Sequence, residues 1–391
     1  MKVALIGIGL AGGRIVEALS SYESNVGVDF VADALAVNTA RADLVELERL
    51  PENRRILVGQ SRVKGHGVGA DNELGAEVTR EDIGDVLSVV DEFSTHEVDA
   101  FVVVAGLGGG TGSGGAPVVA NELRRVYSEP VLGVGVLPDR SEGDINTLNA
   151  ARSFPTFVRE VDNLLLFDND AWRQSGESVS DNYATLNREL ARRLGVLFSA
   201  GETKTSAGGD DAVGTADVLE TLETGGVSTV GYANVEVRRP NRGLVARLFG
   251  SPPERDEAKV TNRVTALVRR AMLGRLTAPC DRESAKRGLV VVAGPPEELS
   301  HRGIERGRAW VEEETGSAEI RGGAHHTGAD FVAAVVLLSG TDDVPRVAEL
   351  RETAIETRRD IIERESTSSH RYQNLIRASE EGDEESIDPL F

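Results

Sequence analysis

The 391-residue chain predicts an α/β protein, with a Rossmann-like parallel-sheet domain followed by a smaller α+β domain. Three observations carry this prediction. Strand-like and helix-like segments alternate through the first half. The strand-like segments are almost continuously apolar, as in "DAFVVVA" at 99–105, which marks strands covered on both faces. Two strand-to-helix junctions, "GIGLAGG" and "GLGGGTGSGG", are dense in glycine, the residue that lets backbone turn tightly or approach something closely.

Residues 2–8, "KVALIGI", form the first apolar run. "GLAGGRIVEALSSY" then enters a helix whose Ile15, Val16 and Leu19 share a face. "ADALAVN" (32–38) is a second strand, "ARADLVELERL" (40–50) a helix and "ILVG" (56–59) a short third strand. "EDIGDVLSVVDEF" (81–93) reads as a helix and 99–105 as a buried strand. "VVANELRRVY" is a helix after the glycine run. "VLGVGVLP" (131–138) is a strand, "NTLNAARSFPTFVREV" a helix and "NLLLFDN" (163–169) a strand. A helix spans about 183–197. Residues 199–211 are rich in Gly and Ser and read as a loop.

"TADVLETL" and "VSTVGYANVEV" continue as helix and strand. "RPNRGLVARLFGSPPERDEA" is a surface excursion. An amphipathic helix at 261–277 precedes strand, helix, strand, strand. The boundaries expected are 1–198 for the nucleotide domain and 199–219 for a contact loop and the start of a connecting helix. The α+β domain is expected at 220–343, a charged helix at 344–365 and an acidic, disordered tail at 366–391.

Composition narrows the function. The net charge of −21 argues against a nucleic-acid binder, because phosphate neutralisation needs clustered Lys and Arg. Only five residues are Lys, at 2, 64, 204, 259 and 286. An acidic, Lys-poor surface points to adaptation to high salt, where self-repulsion is screened. The single cysteine, Cys280, excludes an internal disulfide. Six scattered His give no zinc spacing, and His325 and His326 in "GGAHHTG" read as a loop; no metal site is expected. The chain opens into a strand without a cleavage pattern and has no apolar run near the roughly 20 residues of a membrane span. A cytoplasmic location is expected.

The first glycine turn fits the dinucleotide pattern G-x-G-x-x-G, so a nicotinamide-dependent oxidoreductase is one reading. Such a site expects an acid at the end of the second strand, and Asn38 stands there. The second glycine run exceeds what one dinucleotide site requires and lacks the Lys of a P-loop. Its place between a buried strand and a helix excludes a linker. Thr111 and Ser113 add hydroxyls to a bed of N–H donors, which suits a polyphosphate.

"GGGTGSG" (108–114) resembles the signature loop of the tubulin/FtsZ superfamily of GTPases, and "GLAGGRIV" resembles its N-terminal phosphate loop. Within that superfamily the chain looks most like the CetZ group of halophilic archaea. "GQSRVKGHGVGADNELGAE", "TLNAARSF", "VDNLLLFDNDAW" and "GGVSTVGYA" carry that similarity. The resemblance implies GTP and GDP as ligands, with Mg2+ bound through the nucleotide phosphates.

By the family pattern, Gly9, Leu10, Ala11, Gly12, Gly13 and Arg14 wrap the diphosphate. Gly109, Gly110, Thr111 and Gly112 hold phosphates from the second loop. Ala70, Asp71 and Asn72 resemble the loop that senses the γ-phosphate. Glu142 falls where a carboxylate meets the ribose hydroxyls; a solvated loop acid is the alternative. Asn169 and Asn187 match guanine-contacting positions, where an amide offers both donor and acceptor. Tyr183, four residues before Asn187 and on the same helix face, either stacks on the base or packs in the core.

The resemblance further implies head-to-tail filaments, in which an acidic loop of the next subunit completes the hydrolytic site. Asp217 takes the key acidic position, with a helix N-cap as the competing reading. Gly214 stands where many relatives carry a second acid, with Asp211 the nearest upstream substitute, so hydrolysis is expected to be slow. The implied role is cell-shape control; a GTP-binding regulator that does not polymerise is the alternative. Tail peptides that recruit protein partners are a further expectation for 366–391.

Overall fold

The computed structural model describes residues 1–173, 179–200, 212–237 and 256–359. Of the loop expected at 199–211, Ser199 ends a helix and 201–211 lie outside the described residues. Of the surface excursion expected at 239–258, Asp256 caps and Glu257 begins a helix, while 239–255 and the tail lie outside the described residues.

One ten-stranded sheet runs through the molecule in the order β3-β2-β1-β4-β5-β6-β7-β10-β8-β9. Its strands are β1 (Val3–Ile8), β2 (Val31–Asn38), β3 (Arg55–Leu57), β4 (Ala100–Gly106) and β5 (Val131–Leu137). They continue as β6 (Asn163–Asp168), β7 (Val227–Glu236), β8 (Arg287–Gly294), β9 (Ile320–His326) and β10 (Phe331–Thr341). The first six pair in parallel. β10 runs antiparallel to β7 and β8. The two halves are joined by only two β6–β7 residue pairs, Leu164 with Val227 and Leu165 with Ser228. The sequence separates an α/β half from an α+β half, and the structure adds that their sheets are continuous.

Each apolar strand of the first half serves two cores, as its unbroken hydrophobicity requires. Val3 and Leu5 face Ile15, Val16, Leu19 and Leu194. Ala4, Ile6 and Ile8 face Phe101, Val119, Leu123 and Phe157. All of these are fully buried, and each large side chain contributes about 1.5–3 kcal/mol by leaving water. A third core lies between β7–β10 and the helices Glu257–Leu273 and His301–Thr315.

Several elements differ from the sequence reading. The helix expected at 40–50 is confined to Arg41–Val45. The segment 81–93 is a shorter helix, Ile83–Val90, preceded by a separate helix, Asn72–Glu81. The break falls at Asp82, whose carboxylate accepts the Gly59 N–H at 2.7 Å. His325 and His326 belong to β9, not to a loop, because they pair in parallel with Ala293 and Gly294. Burial pushes the His325 pKa down to about 4, so the ring is neutral. The C-terminal helix is described over 345–359.

The largest difference concerns the glycine run. The helix after β4 begins at Gly110, inside the run. Its first turns lie against Asn72–Glu81 at backbone contact. A Cβ on Gly114 would stand 2.1 Å from the Asn72 carbonyl oxygen, and one on Gly75 would stand 2.4 Å from the Gly110 oxygen. Gly109, in contrast, has nothing within 4 Å. The run therefore divides into glycines that pack helices and one that stays open.

Gly114→Ala should lower the unfolding free energy by about 1–3 kcal/mol or more, as overpacking against backbone does. Gly109→Ala should stay within about 0.5 kcal/mol of wild type. Denaturant unfolding of both variants checks this; equal stabilities would contradict the division.

Candidate guanine-nucleotide site

β1 and β4 are neighbours in the sheet, so the turns that follow them lie side by side. The helices Gly9–Val26 and Gly110–Val126 start there, and each brings unpaired backbone N–H groups to its first turn. Gly9 adopts φ +72°, and a Cβ on it would come within 3.0 Å of the Gly112 nitrogen. Two helix N-termini thus converge on one point, the arrangement that attracts phosphate.

They open into a cavity of about 970 Å³. Gly9, Leu10, Ala11 and Arg14 line it from the first turn. Gly109, Gly110, Thr111 and Gly112 line it from the second, and Glu142, Asn169, Tyr183 and Asn187 from the far end. Six of the predicted residues, Gly12, Gly13, Ala70, Asp71, Asn72 and Asp217, are not part of this lining. Gly12 and Gly13 are closely packed: a Cβ on Gly12 would stand 2.3 Å from the Val104 carbonyl oxygen and one on Gly13 2.8 Å from Leu47 Cδ1. Asn72 opens on a smaller neighbouring cleft with Arg80, Ser113 and Arg152. Asp217 is also absent from the cavity lining.

Asn38 ends β2 at the cavity wall. Its Oδ1 accepts from the N–H groups of Thr39 and Ala40, at 2.8 and 3.1 Å, and its Nδ2 donates to Asp43 at 2.9 Å. The Thr39 and Thr111 hydroxyls are 2.7 Å apart, tying the β2 turn to the second glycine turn. No carboxylate ends β2, which removes the ribose partner a nicotinamide site expects. Arg14 pairs with Glu46.

At the far end, Glu142 Oε1 accepts the Asp139 N–H at 2.8 Å. Glu142 also bonds the Tyr183 hydroxyl, whose pKa is pushed up by burial first and by this carboxylate second. Tyr183 is therefore a neutral donor held at the mouth of the cavity.

Several structural supports were not evident from sequence. Asp168, at the end of β6, accepts the Asp170 N–H at 3.1 Å and so caps the short helix Asn169–Trp172. The Arg346 guanidinium lies 3.6 Å from Asp168, both being buried, and donates to the Pro138 carbonyl at 3.1 Å. The guanidinium groups of Arg193 and Arg275 lie 4.1 and 5.1 Å from the centroid of the Trp172 ring, and its Nε1 donates to the Leu276 carbonyl. Arg346 and Arg275 come from far along the chain, so no local pattern marks them.

Asp217 occupies the third position of the helix Thr215–Leu222, with Gly214 as N-cap. Its Oδ2 accepts the Gly214 N–H at 2.9 Å, and its Oδ1 lies 3.4 Å from Arg321 on β9. Ahead of it, Val213 donates to the Ala324 carbonyl of β9 at 3.2 Å. Asp211 lies outside the described residues. Among the described residues no helix is long and apolar enough to cross a membrane.

A parallel sheet with two converging glycine turns and asparagines at the base end defines a nucleotide-binding α/β protein of the tubulin/FtsZ type. "Tubulin/FtsZ family, GTPase domain" matches residues 2–177, and "Tubulin-like CetZ, C-terminal domain" matches 176–356. The tubulin-like protein CetZ3 of Haloferax volcanii is 61% identical over 393 residues, covering 100% of both chains. The solved GDP-bound monomer of CetZ1 from the same organism is 54% identical, with a TM-score of 0.82 over 92% of this chain and 100% of that one. The GTPγS-bound protofilament of its CetZ2 is 43% identical, with a TM-score of 0.80 over 92% and 99%. The chain belongs to the CetZ family of tubulin-like proteins.

The Asp168 carboxyl is pushed up from 3.8 to about 6, chiefly by burial and against the pull of Arg346. The folded state then holds this proton more tightly than the unfolded state. Its favourable contribution is full below about pH 4 and is lost as pH rises towards 6. Wild-type stability measured against Asp168→Asn should therefore fall across that window and level off above it. A relative stability that rises from pH 4 to 6 would contradict the assignment.

Proposed function

We propose that this chain binds and hydrolyses GTP and assembles head to tail into cytoplasmic filaments that contribute to cell shape. The observation that carries the reading is the pair of helix N-termini meeting at Gly9 and Gly112. Their backbone donors suit the phosphates. Asn169 and Asn187 line the same cavity and could meet the oxygen and N–H groups of a guanine edge. Tyr183 is proposed to stack on the base and Glu142 to accept from the ribose. Asn72, with Ala70 and Asp71, is proposed to receive the γ-phosphate. The similar CetZ1 and CetZ2 structures, GDP-bound and GTPγS-bound respectively, support guanine nucleotide as the ligand.

Mg2+ is proposed to enter with the nucleotide, on its phosphate oxygens. Asp43 and Glu46, which line the cavity, are already engaged by Asn38 and Arg14. Where bound, the ion would neutralise charge on the phosphates.

Two features favour assembly. Leu10, Val45 and Ile145 are 40%, 67% and 48% exposed and lie on turns and helices at the cavity end of the subunit. Asp217, the proposed hydrolytic acid, is not among the residues that line the cavity of its own subunit, and a neighbouring subunit is proposed to supply it. There it would orient the attacking water and accept its proton. Heterologous contact between identical subunits generates open filaments. The protofilament of CetZ2 supports the same arrangement. The nucleotide module is proposed to span 1–198, with 199–219 as contact segment and 220–343 as second domain. A non-polymerising GTP-binding regulator is the second reading, favoured by Gly214 in place of a further acid.

In concentrated potassium chloride, the protein should sediment with GTP and stay soluble with GDP. Asp217→Ala should bind nucleotide within about twofold of wild type while phosphate release falls about a hundredfold or more, the loss typical of a removed acid–base group. Nucleotide binding without sedimentable polymer would favour the regulator. Unchanged turnover in Asp217→Ala would remove its hydrolytic role.

A further inference from the structure

The helix Asp144–Glu160 follows Glu142 and runs beneath both the second glycine turn and the loop at 68–71. Asn149 is buried on this helix, at 4% exposure. Its amide nitrogen donates to the Ala70 carbonyl at 2.7 Å and to the Gly108 carbonyl at 3.1 Å. Both amide hydrogens are therefore committed, one to each loop. The residues three and four positions on share that helix face. Arg152 pairs with Glu73, and the Ser153 hydroxyl donates to the Ser113 carbonyl at 2.6 Å.

The loop held in this way is not at rest by itself. Ala70 adopts φ +65°, a left-handed conformation that costs a non-glycine residue about 1–2 kcal/mol. On its other side the loop is seated against Gly110, where a Cβ would stand 2.6 Å from Val68 Cγ2 and 2.8 Å from the Asp71 nitrogen. Only the Asn149 side chain joins the Ala70 carbonyl to the turn at Gly108 through hydrogen bonds among the described residues.

We propose that Asn149 is a positioning residue that sets the GTP-over-GDP preference. It locks the loop at 68–71 to the Gly108 turn in the arrangement that receives a terminal phosphate. The same helix carries Ile145, exposed at the cavity end, so the occupancy of that loop reaches the proposed subunit contact through one rigid element. The inference rests on the proposed reading of the cavity as a guanine-nucleotide site, with 70–72, which adjoin its Gly110 turn without lining it, at the γ-phosphate.

The test measures GDP and GTPγS affinity of the full chain, wild type first, then Asn149→Ala and Asn149→Asp. Asn149→Ala should bind GDP within about threefold of wild type and GTPγS about tenfold more weakly, the effect of losing buried hydrogen bonds. Asn149→Asp should be no better, because a carboxylate cannot donate and would face two carbonyl oxygens. Hydrogen exchange at 68–74 should slow when GTPγS replaces GDP in wild type and not in the variants. A purely structural role would weaken both nucleotides together, and an unchanged ratio or an equal loss overturns the proposal. Should Asn149→Ala not fold, Arg152→Ala removes an exposed tether of the same loop and should shift the ratio about two- to threefold in the same direction; no shift there also overturns it. A wild-type chain that binds neither nucleotide overturns the underlying reading, and the proposal with it.

Discussion

The structure depends on one backbone contact, between the turn that leaves β1 and the turn that leaves β4. A side chain on Gly12 would collide with the Val104 carbonyl, and one on Gly112 would stand 3.1 Å from the Ile8 carbonyl. Only glycine on both turns lets two neighbouring strands send two helices off with their N-termini together. The convergence gives a subunit of net charge −21 a local field that favours an anion. At about 1 M salt the Debye length is roughly 3 Å. Distant surface charge is then screened, while N–H groups in contact with a phosphate are not. The same screening would let two acidic subunits approach.

The base end depends on charge buried in a different way. Asp168 caps the helix that presents Asn169, and Arg346 beside it reaches the Pro138 carbonyl and Glu349, the latter at 2.9 Å. Arg140 extends the network to Glu349 at 2.6 Å and to Asp170. A buried ion pair is weak evidence for stability, because desolvation offsets its attraction. Its consequence here is positional, since it fixes the helix at 345–359 to the floor beneath the proposed base site. Trp172, in contact with Arg193 and Arg275 and bonded to the Leu276 carbonyl, links the same floor to the second half of the chain.

Much of this was legible in the sequence. The strands β1, β4, β5 and β6 declare themselves because each is buried on both faces and therefore almost wholly apolar. The two glycine turns declare themselves because most of their positions are in backbone contact that admits only glycine. What stayed hidden depends on partners distant in the chain. Nothing local distinguishes the open Gly109 from Gly114, which is pressed against Asn72; that difference is made by helix packing. Asn149 sits in "TLNAARSF" like any polar residue of an amphipathic helix until the loops it bridges are in place. Arg346 reads as one charge among many in a charged helix. The break at Asp82 arises because its carboxylate serves Gly59, across the fold.

The central claim is that converging glycine turns and an asparagine-lined end make this cavity selective for guanine nucleotides. Calorimetric titration of the full chain in concentrated potassium chloride with GDP, ADP and NAD tests it most directly. The account predicts GDP binding at least about a hundredfold tighter than ADP, as expected where buried amides would be left unpaired by the wrong base, and no measurable NAD binding. Equal affinity for GDP and ADP, or tighter binding of NAD, would contradict it.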